Sequence, residues 1–307
     1  MSDALQVQQL TKSYGNKKAL EEVSFAAQQG SCFGLLGPNG AGKSTTMKIL
    51  AGIISADGGS ANIFGMSIQQ QRSEILRKIG YVPQSITLYE KLSAYDNLVF
   101  FGEMNGVRGA LLKQRIDEIL ERVGLAERRK DVVGTFSGGM KRRINIAASL
   151  LHKPAMIILD EPTVGIDPQS RNHIFGLIRE LKKEGVTIVY STHYMEEVEA
   201  LCDDIAIIDH GKVIAQGELG SLLSRYGSNA VYVEAAGMDD LPQAPGMNKI
   251  AKEGRGWRIE TDTVLETIQT VAQLCLERGM SVDQLQIVRP SLEQVFLALT
   301  GTKLRDE

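Results

Sequence analysis

The run Gly37-Pro38-Asn39-Gly40-Ala41-Gly42-Lys43-Ser44-Thr45 constrains this chain more than any other stretch. It follows the short apolar run CFGLL at 32–36 and opens KSTTMKILAGI, whose spacing predicts a helix. A loop of the form G-x-x-x-x-G-K-[ST] between a strand and a helix turns its backbone N–H groups inward. Those amides and the helix N-terminus supply partial positive charge to a triphosphate. Lys43 is then placed to reach the β and γ phosphates, and the Ser44 hydroxyl to ligate Mg²⁺. The glycine order does not match the G-x-G-x-x-G of dinucleotide folds, which favours phosphates over NAD.

The pattern around this loop predicts its setting. LQVQQL at 5–10 and EEVSFAA at 21–27 read as extended runs parted by the turn-like YGNKK. CFGLL, IGYVP at 79–83, AMIILD at 155–160, TIVYST at 187–192 and DIAIID at 204–209 are short apolar or β-branched runs, as strands covered on both faces require. KSTTMKILAGI, LLKQRIDEILERVG and PQSRNHIFGLIRELKKEG carry helical spacing. Strands alternating with helices predict a mostly parallel sheet wrapped by helices.

Residues from about 88 to 152 hold no convincing strand and several helical stretches, so a helical subdomain is expected there beside the sheet. Near residue 220 the texture changes, with Gly, Pro and Asn clustering in YGSNA and GMDDLPQAPGMNK. A first domain over 1–220 and a small β/α domain over 221–307 are expected. In the second, VYVEAA, GWRIETD and LQIVR read as strands, and TVLETIQTVAQLCLERG and SLEQVFLALTG as helices.

Composition excludes several classes. At about 150 residues per domain, 307 residues make roughly two domains with cores of ordinary size. The chain is 43% hydrophobic and 23% charged, and 34 Lys+Arg against 37 Asp+Glu leave a net charge of -3, so no charge-driven nucleic-acid affinity is implied. The opening residues lack the apolar core of a signal peptide, and no apolar run reaches the roughly 18 residues of a membrane span. Cys32, Cys202 and Cys275 form no C-x-x-C pair, which suits free buried thiols in a reducing compartment. His152, His173, His193 and His210 show no zinc-site spacing, so any metal is expected to arrive with a ligand.

Two further motifs carry chemistry. Asp160 and Glu161 end the apolar strand AMIILD. A carboxylate pair there is costly unless it holds a cation or a water network, so Asp160 is placed to hold Mg²⁺ and Glu161 to polarise a water. Phe136-Ser137-Gly138-Gly139-Met140, followed by Lys141-Arg142-Arg143, opens a helix just before that strand. Ser137, the Gly138 and Gly139 amides and the helix N-terminus form a second anion cradle, although in isolation a Ser before a Gly-Gly turn reads first as a helix N-cap.

With FSGGM standing between the glycine loop and the Asp160-Glu161 strand, the chain resembles the nucleotide-binding subunits of ABC transporters over about residues 5–220. The resemblance implies an α/β P-loop NTPase of ABC type, with a mostly parallel sheet, small antiparallel β and helical subdomains, and a small C-terminal β/α domain. It makes Phe136–Met140 the signature loop, which serves the ATP of a partner subunit. It implies that Tyr14 stacks on adenine, where simple packing is the alternative. Gln84 becomes the Q-loop residue touching Mg²⁺ and the attacking water, Gly165-Ile166-Asp167 the D-loop crossing a dimer interface, and His193 the switch histidine at the γ-phosphate. Catalysis then falls to Glu161, His193 and Gln84, and the metal to Ser44, Gln84 and Asp160.

The ending Arg289-Pro290-Ser291-Leu292-Glu293-Gln294-Val295-Phe296-Leu297-Ala298-Leu299-Thr300-Gly301 and the form FSGGMKRR resemble the ABC-2 exporter ATPases of the drug-resistance type. That implies an ATPase that pairs with a copy of itself or a paralogue around ATP. It drives separate polytopic ABC-2 permease subunits from the cytoplasmic face of the membrane, exporting a drug, antibiotic or lipid-like compound. Export of sodium or polysaccharide, or a soluble non-transport ABC ATPase, are the alternatives. The tail is expected either to stabilise a dimer or to regulate.

Overall fold

A computed structural model describes residues 3–238 and 240–301. The chain divides into two compact units, one reaching to Leu219 and one beginning at Gly220.

The first unit opens on a long antiparallel pair, β1 (Asp3–Tyr14) and β2 (Lys17–Gln28), whose buried residues alternate as a half-covered sheet requires. β3 (Cys32–Leu36) is buried throughout and leads through the glycine loop into α1 (Lys43–Leu50). The chain returns to the first sheet as β4 (Gly58–Ile63) and β5 (Met66–Ser67), giving the antiparallel order β2-β1-β4-β5. α2 (Arg72–Leu76) and β6 (Ile79–Val82) follow.

The helical stretch comprises α3 (Ala94–Met104), α4 (Gly109–Arg122) and α5 (Gly138–Leu150). Ser93 caps α3 by accepting the Asp96 N–H, and Ser137 caps α5 by accepting the Met140 N–H at 3.2 Å. The chain then alternates through β7 (Met156–Asp160), α6 (Pro168–Lys183), β8 (Thr187–Thr192), α7 (Met195–Leu201), β9 (Asp204–Asp209) and β10 (Lys212–Glu218). α6 starts where Asp167 accepts the Ser170 N–H at 2.8 Å and Pro168 takes the first helical position, where no amide is needed.

The central sheet has the order β10-β9-β3-β8-β7-β6, parallel except for the β10–β9 pair. β3, β7 and β8 are buried at every residue, as a sheet covered on both faces demands. One apolar core joins both sheets: Leu5, Val7 and Phe25 of the antiparallel layer pack with Phe33, Met47, Met156 and Val189. Phe25 and Phe33 stack across that junction with centroids 5.0 Å apart. Register aligns Leu36 with Thr192, Ser191 with Asp160, and Leu159 with Val82, so four strands end together at one edge. Such an edge is where α/β sheets hold ligands.

The second unit runs through α8 (Leu219–Tyr226), β11 (Ala230–Ala235), β12 (Met247–Glu253), β13 (Gly256–Thr261), α9 (Val264–Glu277), β14 (Val282–Val288) and α10 (Leu292–Thr300). Its strands form an antiparallel sheet in the order β12-β13-β11-β14. Val233, Ile259, Val271 and Cys275 centre its core, and Trp257 packs against them while donating its indole N–H to the Met238 carbonyl at 3.1 Å.

Candidate functional site

The loop from Gly37 to Thr45 is built so that backbone can face a ligand. Gly42 sits at φ 111 as the residue capping α1, and a β-carbon there meets Leu20 Cδ2 at 2.6 Å. At Gly37 a β-carbon meets the Ile208 carbonyl oxygen at 2.1 Å. Neither position admits a side chain, so the loop lies close against β9 and the amides at the start of α1 stay uncovered by methyl groups.

Lys43 is 4% exposed. Its ammonium donates to the carbonyl oxygens of Gly37 at 2.7 Å and Pro38 at 3.0 Å, and ion-pairs with Glu161 Oε1 at 3.0 Å. Glu161, also 4% exposed, adopts φ +45, a left-handed conformation uncommon for a residue with a β-carbon. Its N–H donates to the carbonyl and the hydroxyl of Ser191, both at 3.1 Å, which ties this strained residue to the end of β8. Gln84 Nε2 donates to Glu161 Oε2 at 3.1 Å, and His193 Nδ1 lies 3.5 Å from Oε1 with no hydrogen-bond partner of its own.

Asp160 is held by two hydroxyls: Ser191 donates to Oδ1 at 2.7 Å and Ser44 to the same oxygen at 3.0 Å. Burial pushes its carboxyl above the usual range, against the pull of those two hydrogen bonds. Ser44, Asp160 and the Gln84 amide offer hard oxygen donors, the set a magnesium ion takes alongside phosphate and water oxygens. Among the described residues no cluster of three or more His, Cys, Asp or Glu could hold a metal alone.

A cleft of about 300 Å³ opens over these groups, lined by Tyr14, Lys17, Ala19, Asn39, Gly40, Gly42, Lys43, Ser44, Thr45, Gln84 and Glu161. Tyr14 stands at its rim, 51% exposed, with Lys12 Nζ 5.8 Å from the ring centre. The structure therefore gathers the glycine loop, Tyr14, Gln84, Asp160, Glu161 and His193 at one place. It does not bring Phe136–Met140 or Gly165–Asp167 into the lining of that cleft. Those two segments lie against each other instead: a β-carbon at Gly139 meets Ser170 Oγ at 2.1 Å and Asp167 Oδ2 at 3.0 Å. Ser137, Gly138, Gly165 and Asp167 are exposed, and the Ser170 amide holds the Asp167 carboxyl below the usual carboxylate range.

Three residues of this neighbourhood escape the sequence reading. Ser191 joins Asp160 to Glu161, yet a serine inside TIVYST carries no motif. Lys17 lines the cleft from the first position of β2, just past the turn that follows Tyr14. Arg142 of α5 donates to the carbonyl oxygens of Pro83, at 2.7 Å, and of Gln84, fastening the SGG helix to the glutamine segment. Its place in a Lys-Arg-Arg run does not mark this contact, and burial pulls its guanidinium pKa down. The doubled contact is visible only in three dimensions.

A lysine folded into a glycine loop under a helix N-terminus, facing carboxylates at the ends of parallel strands, defines a P-loop nucleoside triphosphatase. The antiparallel layer beside the sheet and the SGG-capped helix place it in the ABC class. Residues 20–164 match the model for the family described as ABC transporter, and residues 217–300 match ATP-binding protein DrrA1-3-like, C-terminal domain. The linearmycin resistance ATP-binding protein LnrL of Bacillus subtilis is 43% identical, over 98% of this chain and all of its own. The daunorubicin/doxorubicin resistance ATP-binding protein DrrA of Streptomyces peucetius is 35% identical, over 97% of this chain and 92% of its own. A solved ATP binding subunit of an ABC transporter superposes with a TM-score of 0.66 at 31% identity, covering 73% of this chain and 93% of that one.

The chain belongs to the ABC transporter ATP-binding proteins, with a DrrA-like C-terminal domain. It is the ATP-hydrolysing, energy-coupling subunit of an exporter, and it works with membrane permease subunits.

Proposed function

We propose that this chain powers export of a drug, antibiotic or lipid-like compound through ABC-2 permease subunits, by closing head to tail with a second ATP-binding subunit around Mg-ATP. In this reading residues 1–220 form the nucleotide-binding domain, with its helical subdomain over about 88–152, and 221–307 an accessory domain. The observation that carries it is the separation of two anion cradles: the glycine loop lines the cleft, while exposed Ser137 and Gly138 lie outside it beside Gly165–Asp167. A nucleotide in the cleft then meets half of its donors, and the SGG helix of a mate supplies the rest.

The polar groups of the cleft suggest how hydrolysis runs. Both Glu161 oxygens are engaged within the chain, Oε1 by Lys43 and Oε2 by Gln84. Phosphate oxygens compete for the Lys43 ammonium and draw it off the carboxylate, which leaves Glu161 free to accept a proton. A water oxygen attacks the γ-phosphorus, its proton passes to Glu161, and the bond to the bridging oxygen of ADP breaks. His193 Nδ1, without a partner and 3.5 Å from Glu161, is free to engage the γ-phosphate. Tyr14 stacks on the base at the rim. Ser44, Asp160 and Gln84 would hold Mg²⁺, which would supply charge neutralisation at the phosphates.

Relatives named for resistance to linearmycin and daunorubicin support the substrate class. Membership of the ABC transporter ATP-binding proteins supports a peripheral subunit at the cytoplasmic face. Among the described residues no helix is long and apolar enough to cross a membrane. The test is to express the chain with candidate ABC-2 permease subunits in a sensitive host. Efflux or resistance that disappears with Lys43→Ala supports the reading, and Mg-ATP hydrolysis that no permease or export substrate alters overturns it.

A further inference from the structure

One buried carboxylate has no part in the chemistry above. Glu197, on α7, is 1% exposed, and its partners among the described residues are hydroxyls rather than a cation. Thr163 donates to Oε1 at 2.6 Å, while Tyr190 and Thr192 donate to Oε2 at 2.9 and 2.8 Å. Thr163 and Tyr190 also touch each other at 3.3 Å, and the Tyr194 N–H donates to Thr192 Oγ1 at 3.0 Å. All three hydroxyl residues are buried.

The donors come from two segments that matter to hydrolysis. Thr163 lies between Glu161 and Gly165, at the entry to the segment read as crossing to a second subunit. Thr192 immediately precedes His193, and the Tyr194 amide that it accepts immediately follows. A carboxylate that takes three hydroxyl donors inside a buried core is the strong, charge-assisted kind of acceptor. Its partners are buried with it, so displacing one hydroxyl displaces the others or leaves a buried polar group unpaired. Burial, and then the Glu197 charge, push the Tyr190 phenol well above its ordinary range, which keeps it a donor at neutral pH.

We propose that Glu197 is a positioning residue: it locks His193 and the Thr163–Asp167 segment into one unit, so that contact of that segment with a second subunit is delivered to the histidine at the γ-phosphate. This rests on the ATPase and dimer reading given above. It adds a link that runs behind the site, through the carboxylate, rather than through the nucleotide.

The test is Mg-ATP hydrolysis by the full-length protein against ATP concentration, for wild type, Glu197→Gln, His193→Ala and the double variant. Glu197→Gln keeps the side-chain shape but turns an NH₂ toward hydroxyl donors. It is expected to lower kcat by about tenfold or more through misplacement of His193, with KM within about twofold and the Hill coefficient falling toward one. In the His193→Ala background it is expected to cost nothing further, because coupled residues are not additive. An equal loss in both backgrounds, or a wild-type kcat in the single variant, overturns the proposal alone. Wild-type hydrolysis by His193→Ala removes the histidine's role as well. Should Glu197→Gln fail to fold, Thr163→Val removes the arm to the crossing segment together with its contact to Tyr190: reduced cooperativity in the folded variant supports the link, and wild-type cooperativity overturns it.

Discussion

Lys43 Nζ and Glu161 Oε1 stand 3.0 Å apart with both side chains at most 5% exposed. A pair this deep gains little over a well-packed apolar pair, yet losing one partner leaves an uncompensated charge worth about 3–5 kcal/mol. The contact therefore makes each residue's effect on stability depend on the other. Lys43→Ala is expected to abolish nucleotide binding and to lower stability by about that amount. Lys43→Ala combined with Glu161→Gln is expected to recover most of the stability and none of the binding. Chemical denaturation of the two variants beside an ATP titration checks both, and additive stability losses would count against a coupled pair.

Glu161→Gln alone separates binding from chemistry. The amide keeps the shape and can still meet Gln84, but it cannot take the proton of the attacking water. Hydrolysis is expected to fall by at least about 100-fold, while ATP binds and holds two subunits together. Steady-state turnover and size-exclusion chromatography with and without Mg-ATP measure the two effects. Unchanged turnover would take the role of base away from Glu161.

The reach of Arg142 across to Pro83 and Gln84 gives the SGG helix a grip on a residue of the opposite cradle. Removing it strands two carbonyl oxygens that the guanidinium satisfies together, at a cost of about 1–3 kcal/mol. Arg142→Ala is expected to lose that stability and to slow hydrolysis with little change in ATP affinity, since Lys43 and the glycine loop are untouched. Arg142→Lys, a single-point donor, is expected to restore the charge but only one of the two contacts. Denaturation midpoints and kcat for the two variants decide it.

The glycine loop, the strand-end acids and the five central apolar strands were legible because each depends on residue type at fixed local spacing. β3, β7 and β8 announce themselves as unbroken apolar runs because both their faces are buried. β4, β10 and β12, written GGSANI, KVIAQGE and MNKIAKE, were not. They are strands because a neighbour pairs with them, and Gly59, at φ +76 close against the Gln9 carbonyl, carries no strand propensity at all. The same division holds in the site. Lys43, Asp160 and Glu161 lie in motifs, whereas Ser191, Arg142 and Glu197 act across 30 or more residues of sequence or from inside a core, where no local pattern marks them.

His152 gives the fold an acid-sensitive point away from the cleft. It meets the Ile79 carbonyl oxygen at 2.9 Å through Nε2, its Nδ1 has no partner, and burial pulls its pKa below the ordinary histidine value, helped by the nearby Arg115 charge. With the folded pKa depressed, the unfolded chain binds a proton first as pH falls below about 6.5. The contribution is therefore present above that pH and is lost below it, with a slope of at most about 1.4 kcal/mol per pH unit. His152→Gln keeps a donor for Ile79 and removes the titration. Its unfolding midpoint is expected to fall less than the wild-type midpoint between pH 7 and pH 5.5, and parallel curves would show that His152 does not contribute.

Gly138 and Gly139 separate what the SGG turn does for its own fold from what it offers a mate. A methyl at Gly139 meets both Ser170 Oγ at 2.1 Å and Ser170 Cβ at 2.4 Å, so turning the hydroxyl away does not make room and the start of α5 must leave α6. A methyl at Gly138 finds nothing nearer than Ile166 Cδ1 at 4.0 Å, at a backbone conformation open to alanine. Gly139→Ala is thus expected to lower stability by about 1–3 kcal/mol through overpacking. Gly138→Ala is expected to leave stability unchanged or to raise it by up to about 1 kcal/mol by restricting the unfolded chain. If the exposed amides at this helix start serve a partner's γ-phosphate, the Gly138 methyl stands in that space and hydrolysis drops although the fold is intact. Thermal unfolding and Mg-ATP turnover of the two variants read the two effects apart: full turnover by a stable Gly138→Ala protein would remove the SGG turn from the partner's site.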